Sequence, residues 1–207
     1  MTSTDHINCQ RVQLSELVQV QPGYLSRGRV RHTTDGTHHL LQGKDIYEAD
    51  GVRLDTAIRF HPTRRPELYQ VSRGDVLVTA RGQDHRAYYV DQDLSDVLAS
   101  ATFYILRTDV SRLLPGYLAW WLNLPRVQSA IDTASGGTHI SYIRRQALEN
   151  LLVPVPTLEV QHKIERVVFL WRERNALQAR IDEKRRQSIQ MVCQRAVQRA
   201  TEKEQES

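Results

Sequence analysis

Hydrophobic and polar positions divide the 207-residue chain in two near Pro156. Before that residue, apolar side chains come in short runs separated by Gly, Pro, Asp and Asn, a pattern of strands and turns. After it, from 158 to about 200, neither Pro nor Gly occurs and Gln, Glu, Arg, Ala and Val dominate. That composition predicts one long helix. The clearest buried strand is Val76, Leu77 and Val78, introduced by a tight turn at Arg73, Gly74 and Asp75. Further strands are predicted at 52–60 (VRLDTAIRF), from Ala87 onward (AYYV) and at 101–107 (ATFYILR), all rich in β-branched or aromatic residues.

Other stretches are less direct. The run at 12–20 (VQLSELVQV) suits either a short helical turn or a strand. Pro22-Gly23 signals a turn, after which Tyr24, Ser26, Gly28 and Val30 alternate with Leu25, Arg27, Arg29 and Arg31. A strand there carries Arg27, Arg29 and Arg31 on one face, and Asp35-Gly36 reads as a hairpin turn into THHLLQ. Pro115 stands where the first turn of a helix tolerates it. Leu118, Trp121, Leu122 and Leu124 follow at near-helical spacing, so residues 115–132 predict two short helices divided at Pro125. Their bulky aromatics fit a core better than a base-stacking surface. Gly136-Gly137 ends the second helix, residues 138–143 alternate like a strand, and the apolar run of QALENLLVPVP predicts a last strand pinned by Pro154 and Pro156. The predicted architecture is a mixed α/β domain with a twisted, partly antiparallel sheet and short helices, followed by one long C-terminal helix.

The long helix has its own apolar stripe: Ile164, Val167, Val168 and Trp171, continuing through Leu177, Ile181, Ser188 and Val192 with a shift of phase. A strict heptad seam fails at several points, so an ideal two-stranded coiled coil is not predicted. About 40 helical residues rise roughly 60 Å. Part of such a face needs a partner, either another copy or another protein.

Charge changes this picture little. The formal net charge is +4 and the sequence pI about 9.2, compatible with a polyanionic partner without demanding one. Of the 28 Lys and Arg, 11 fall at 158–207, against 8 of the 24 Asp and Glu, so the rest of the chain is almost balanced. A basic face on the globular part therefore requires segregation of charge. Cys9 and Cys193 lie near opposite ends with no ligand spacing around them, which favours two free thiols in a reducing compartment over a single long-range disulfide. No stretch approaches the roughly 20 apolar residues that cross a bilayer, and the first ten residues carry no signal-peptide pattern. A soluble, cytoplasmic protein is expected.

Catalytic motifs are missing from the sequence. It has no phosphate-cradling Gly-rich loop, no Asn/Asp-Pro-Pro-aromatic tetrapeptide of amino-methyltransferases and no His-Glu-x-x-His zinc motif. Asp182, Glu183 and Lys184 fit an ion-paired, solvated helix face better than a nuclease carboxylate cluster. His38, His39 and His85 lack an acidic or Cys partner at fixed spacing, so surface or hydrogen-bonding roles are expected and no metal site is predicted.

The ordered set LQGKDI, VSRGDVLVTARG, LPGYLAWWLN and SGGTHISYIRRQALENLLVPVPTLEVQHKI resembles the target recognition domain and adjoining helical region of type I restriction-modification specificity subunits. The resemblance runs from about Val12 into the C-terminal helix. Val160 departs from it, standing where the family usually has Glu before Gln161. Members commonly carry two recognition domains and two helical spacers; this sequence shows one of each and no internal repeat, so it resembles a half-length subunit that pairs with a second copy or a second half. The implied division is a flexible N-terminus at 1–11, a target recognition domain at 12–157, a dimerisation or docking helix at 158–200 and a polar tail at 201–207.

The resemblance implies a non-catalytic subunit that binds double-stranded DNA, belongs to a bacterial or archaeal cytoplasm, and works with a DNA adenine methyltransferase subunit. S-adenosylmethionine is then expected in that partner only, with a nuclease-translocase subunit as a further possible partner. Two paired copies imply a palindromic, interrupted target. Candidate phosphate contacts are Arg27, Arg29 and Arg31, Arg64 and Arg65, and Arg144 and Arg145. Two polar loops offer base-edge chemistry: Arg81, Gln83, His85 and Arg86, and Thr138, His139, Ser141 and Tyr142. Composition alone favours an ordinary solvated surface for the arginines, and it is the resemblance that turns the set, though not each member, toward DNA contact; turn stabilisation accounts for Thr138 and Ser141 almost as well. Ile164, Val167, Val168, Trp171, Leu177, Ile181 and Val192 are the candidate partner-helix residues. The competing reading is an interaction adaptor whose long helix scaffolds a complex without reading DNA; a free-standing nuclease is a distant third.

Overall fold

The computed structural model describes residues 9–26, 28–47, 51–82, 85–135 and 142–205. Ten strands come first: β1 (Gln10–Gln13), β2 (Val18–Pro22), β3 (His38–Leu41), β4 (Ile46–Tyr47), β5 (Gly51–Val52), β6 (Ile58–Phe60), β7 (Val76–Thr79), β8 (Ala87–Tyr89), β9 (Val97–Ala99) and β10 (Phe103–Thr108). Helices α1 (Pro115–Leu122), α2 (Pro125–Ser135) and α3 (Arg145–Glu149) follow, then β11 (Leu152–Val155) and α4 (Leu158–Gln205). The mixed α/β domain with a long C-terminal helix is as the sequence predicts.

The central sheet is antiparallel, in the order β2-β10-β7-β8. Both faces are buried at its two inner strands, β7 and β10, and strand alternation assigns each side chain to one of them. Tyr104 and Leu106 of β10, with Val76 and Val78 of β7, pack against Leu118, Trp121 and Leu122 of α1 and Ile131 of α2. Phe103, Ile105 and Leu77 point the other way, onto Leu41, Val97 and Ala99 of a second sheet. This double burial is why β7 and β10 read as unbroken apolar runs. The second sheet has the order β6-β3-β9, with β3 and β9 parallel, and its far side carries Leu40 and Leu98 against Tyr24 and Phe60. From helices outward, the layers are α1 to α3, the central sheet, the second sheet and this outer aromatic cluster.

Several local expectations are corrected. The described residues of 25–32 form no strand; Tyr24 makes one isolated bridge to Ser100, and β3 takes β6 and β9 as its neighbours. Both edges of β3 are therefore occupied, leaving those described residues without a strand to pair with. Arg29 and Arg31 are exposed there, and Arg27 lies outside the described residues. Pro22 ends β2 rather than turning a corner, and the turn before β3 joins no hairpin. The predicted strand at 52–60 is broken by a bend at 55–57, where Arg53 pairs with Asp55 at 2.6 Å. Residues 145–149 are helical, with Arg145 and Glu149 paired at i,i+4 and Leu148 buried beneath them, and the last strand begins only at Leu152.

The ambiguous 12–20 run resolves into strand, 3-10 turn and strand. β1 starts at Gln10, inside the segment expected to be loose, because it pairs antiparallel with β11. That pairing brings the start of the domain beside the exit into α4.

Candidate nucleic-acid interface

Two of the loops singled out from the sequence meet. Beyond β7, the Ala80 carbonyl accepts the Ile143 N–H at 3.0 Å, and Arg81 bridges Tyr142 in antiparallel sense. The Arg81 guanidinium lies 5.1 Å from the centroid of the Tyr142 ring, a cation–π distance. Tyr142 is 42 % exposed, yet its hydroxyl reaches inward to the buried Tyr104 hydroxyl at 3.0 Å. Tyr104 spends its own proton on the Ile143 carbonyl at 3.1 Å, so Tyr142 donates and Tyr104 accepts. Burial, and then the hydrogen bond and proximity of Tyr142, push the Tyr104 phenol far above the usual tyrosine range, so this support stays neutral.

The other members of these loops divide by burial. Arg86, Arg144 and Arg145 are exposed, with Arg145 held by Glu149 at 2.7 Å. His85 is fully buried: Nδ1 lies 3.0 Å from the Thr79 carbonyl and Nε2 3.9 Å from Asp132 Oδ1. Because a carbonyl only accepts, Nδ1 carries the proton. Gln128 donates to the His85 carbonyl at 3.0 Å, so this histidine anchors the loop from within and its ring faces no solvent. Gln83, Thr138, His139 and Ser141 lie outside the described residues.

Asn123 closes the edge of β8 next to this loop. Its side-chain amide donates to the Ala87 carbonyl at 2.7 Å and accepts the Ala87 N–H at 2.9 Å, copying a strand partner. Arg29, Arg31, Arg64 and Arg65 are exposed on the outer layer. There the Tyr24 hydroxyl, buried among Phe60 and Tyr69, accepts the Thr63 N–H at 3.0 Å and so ties the 63–65 segment to the start of the 25–31 segment.

The root of α4 is a polar clamp. Gln161 is fully buried and makes three hydrogen bonds: Oε1 accepts the Leu114 N–H at 2.8 Å, while Nε2 donates to the carbonyls of Arg112 at 3.0 Å and Pro156 at 2.9 Å. One turn on, Glu165 Oε1 accepts the N–H groups of Gly116 at 2.8 Å and Tyr117 at 3.2 Å. Farther along, Arg172 pairs with Asp91 at 3.8 Å. Of the expected partner-helix residues, Ile164 and Val168 are half-buried, with Ile164 against the core, whereas Val167, Trp171, Leu177, Ile181 and Val192 are exposed. A groove of about 1360 Å³ runs between α4 and the domain, lined by Trp120, Tyr89, Val167 and Trp171 among others. Arg185 and Arg186 pair with Asp182 and Glu183 at 3.5 and 2.8 Å, the solvated face expected there.

Sequence reasoning missed Tyr104, Asn123 and Glu165, whose roles rest on long-range polar contacts that leave no periodic trace. Among the described residues, no group of three or more His, Cys, Asp or Glu is placed to hold a metal, and no helix is long and apolar enough to cross a membrane.

No family model matches the chain. A stretch of 99 residues, 48 % of the chain, is 30 % identical to the EcoBI type I restriction enzyme specificity subunit of Escherichia coli, of which it covers 21 %. The fold is similar to the S subunit of a type I restriction-modification system from M. genitalium, with a TM-score of 0.58 at 18 % identity over 84 % of this chain and 41 % of that one. The HsdS subunit from Thermoanaerobacter tengcongensis gives 0.54 at 18 % over 81 % and 38 %. A chain from a further type I restriction-modification assembly gives 0.60 at 17 % over 85 % and 43 %. The chain thus spans about two fifths of the solved subunits it matches. The chain is similar in sequence, over about half its length, to one type I restriction enzyme specificity subunit, and over most of its length it shares the fold of solved type I restriction-modification specificity subunits.

Proposed function

We propose that the chain recognises double-stranded DNA for an adenine methyltransferase complex, with residues 12–157 as the target recognition domain and α4 as the helix that pairs with a second copy or another half-subunit. The observation that carries this reading is the Arg81–Tyr142 bridge. It joins two polar loops, distant in sequence, into one exposed rim. A guanidinium held over a tyrosine ring loses little freedom on binding and presents paired N–H donors, the geometry that reads guanine O6 and N7 in a major groove. Arg86, Arg144 and Arg145 beside it suit phosphate contacts, which position the protein without reading sequence. Arg29, Arg31, Arg64 and Arg65 offer a second set on the outer layer.

The chain supplies no chemistry to the methyl group in this reading. Transfer takes place in the methyltransferase partner, which holds S-adenosylmethionine, and a nuclease-translocase subunit completes a restricting assembly. Pairing of two copies through α4 makes the target bipartite and, for a homodimer, palindromic.

The exposed apolar stripe of α4 also suits an adaptor that scaffolds a complex without touching DNA. Salt separates the two. With the methyltransferase present, binding to duplex DNA weakens steeply as salt rises if several phosphates are neutralised. No salt-sensitive DNA binding by the complex leaves the adaptor.

A further inference from the structure

We infer that Gln161 and Glu165 are positioning residues that set the angle at which α4 leaves the recognition domain, and through that angle the spacing between the two DNA half-sites. The spacing part rests on the DNA-reading function proposed above; the angular part does not.

The start of α1 has no cap of its own. Leu114 at its N-cap provides no side-chain acceptor, and Pro115 has no N–H. The free donors are therefore the N–H groups of Leu114, Gly116 and Tyr117, and α4 takes all three: Gln161 the first, Glu165 the other two. A carboxylate at a helix N-terminus also meets the positive end of the helix dipole. Gln161 closes the arrangement by donating to the carbonyls of Arg112, just before α1, and Pro156, just before α4. The two helix starts are thus tied to each other and to the strand exit by hydrogen bonds with fixed directions.

Apolar packing does not duplicate this control. Among the α4 residues whose burial is described, Gln161 alone is buried; Ile164 and Val168 are only half-buried. Hydrophobic contact is tolerant of sliding and rotation, whereas three directed bonds at a buried amide are not. Close approach is built in as well, because a Cβ on Gly116 would stand 2.7 Å from Glu165 Oε1.

Leverage makes the root matter. Forty residues separate Glu165 from Gln205 on α4, roughly 60 Å at 1.5 Å per residue. A tilt of roughly 10° at the root displaces the far end by roughly 10 Å, about three base-pair steps at 3.4 Å. A bipartite reader whose copies meet along this helix converts looseness at the clamp into looseness of the gap.

The test uses Gln161→Ala with Glu165→Ala, and Glu165→Ala alone as the variant with the buried amide intact. Spin labels on the native Cys9 and Cys193, diluted with unlabelled protein, report the distance between the domain and a point roughly 40 Å along the helix. A narrow distribution in the wild type and a broad one in the variants, at unchanged helicity, is expected. In parallel, the chain with its methyltransferase is given duplexes whose half-sites are separated by graded gaps. The wild type should methylate at one gap length and the variants at neighbouring lengths too, with the half-site bases unchanged. A distribution that stays narrow in Glu165→Ala and in any folded double variant overturns the clamp. Broadening with an unchanged gap preference overturns its role in spacing. A wild type that methylates without sequence preference removes the DNA-reading function, and the spacing role with it, while leaving the distance measurement to decide the clamp.

Discussion

The Tyr104 and Tyr142 hydroxyls lie 3.0 Å apart, one phenol buried in the core and the other at the surface with its ring beneath Arg81. A core strand thereby holds up the exposed rim. Tyr104→Phe keeps the ring but removes both the acceptor for Tyr142 and the donor to the Ile143 carbonyl. Leaving a buried acceptor unpaired costs about 1–3 kcal/mol. Urea denaturation should register that loss, and the DNA preference of the complex should weaken with it; unchanged stability would show the hydroxyl to be idle.

Gly116→Ala and Glu165→Ala should each cost about 0.5–2 kcal/mol, the usual range for loss of a helix cap. The two act on one contact, since the added methyl displaces the Glu165 carboxylate. Their combination should therefore cost less than the sum of the singles in a double-mutant cycle. Full additivity would place the damage elsewhere.

Tyr117 supplies a pH signature. Its hydroxyl donates to the Pro154 carbonyl at 2.7 Å. Burial first, and Cys9 nearby second, against a small opposing effect of Arg126, push the phenol up to about 12. A folded pKa above the unfolded one means that Tyr117 contributes stability in full below the ordinary tyrosine value of about 10, and that this contribution is lost as pH rises toward about 12. The difference in urea midpoint between wild type and Tyr117→Phe should shrink across that window. A constant difference would contradict the assignment.

The α4 stripe should be separable from the domain. Trp171 and Leu177 are 56 % and 58 % exposed, so Trp171→Ser with Leu177→Ser should change domain stability by no more than about 0.5 kcal/mol, as at other surface positions. Self-association or capture of a second half-subunit, measured by sedimentation, should fall sharply. Intact association would move the pairing surface off this stripe.

Legibility in the sequence followed the range of the interaction. β7 and β10 are readable because burial on both faces makes each a continuous apolar run. The break at Pro125 and the start of α4 are readable because Pro acts locally. Alternation misled at 25–31, where polar residues alternate by chance and β3 has no edge left to pair with them. β9 is too short to carry a period and is held by its parallel pairing with β3.

Site residues divide the same way. Arg81, Arg86, Tyr142, Arg144 and Arg145 are candidates by residue type within polar loops, and the structure leaves all five exposed. The expectation that His85 reads bases fails because its ring is buried, with Nδ1 on the Thr79 carbonyl and Asp132 at 3.9 Å, groups that come from separate elements. Tyr104 was hidden within an apolar strand for the same reason.

The central claim, that this chain reads DNA through the Arg81–Tyr142 rim, is tested most directly by selecting duplexes from a random library with the chain and its methyltransferase, in wild-type and Arg81→Ala forms. Enrichment of one bipartite sequence is predicted for the wild type, with a loss of about 1–3 kcal/mol of discrimination at a single base pair in the variant. The same enriched sequence, with the same discrimination, from Arg81→Ala would contradict it.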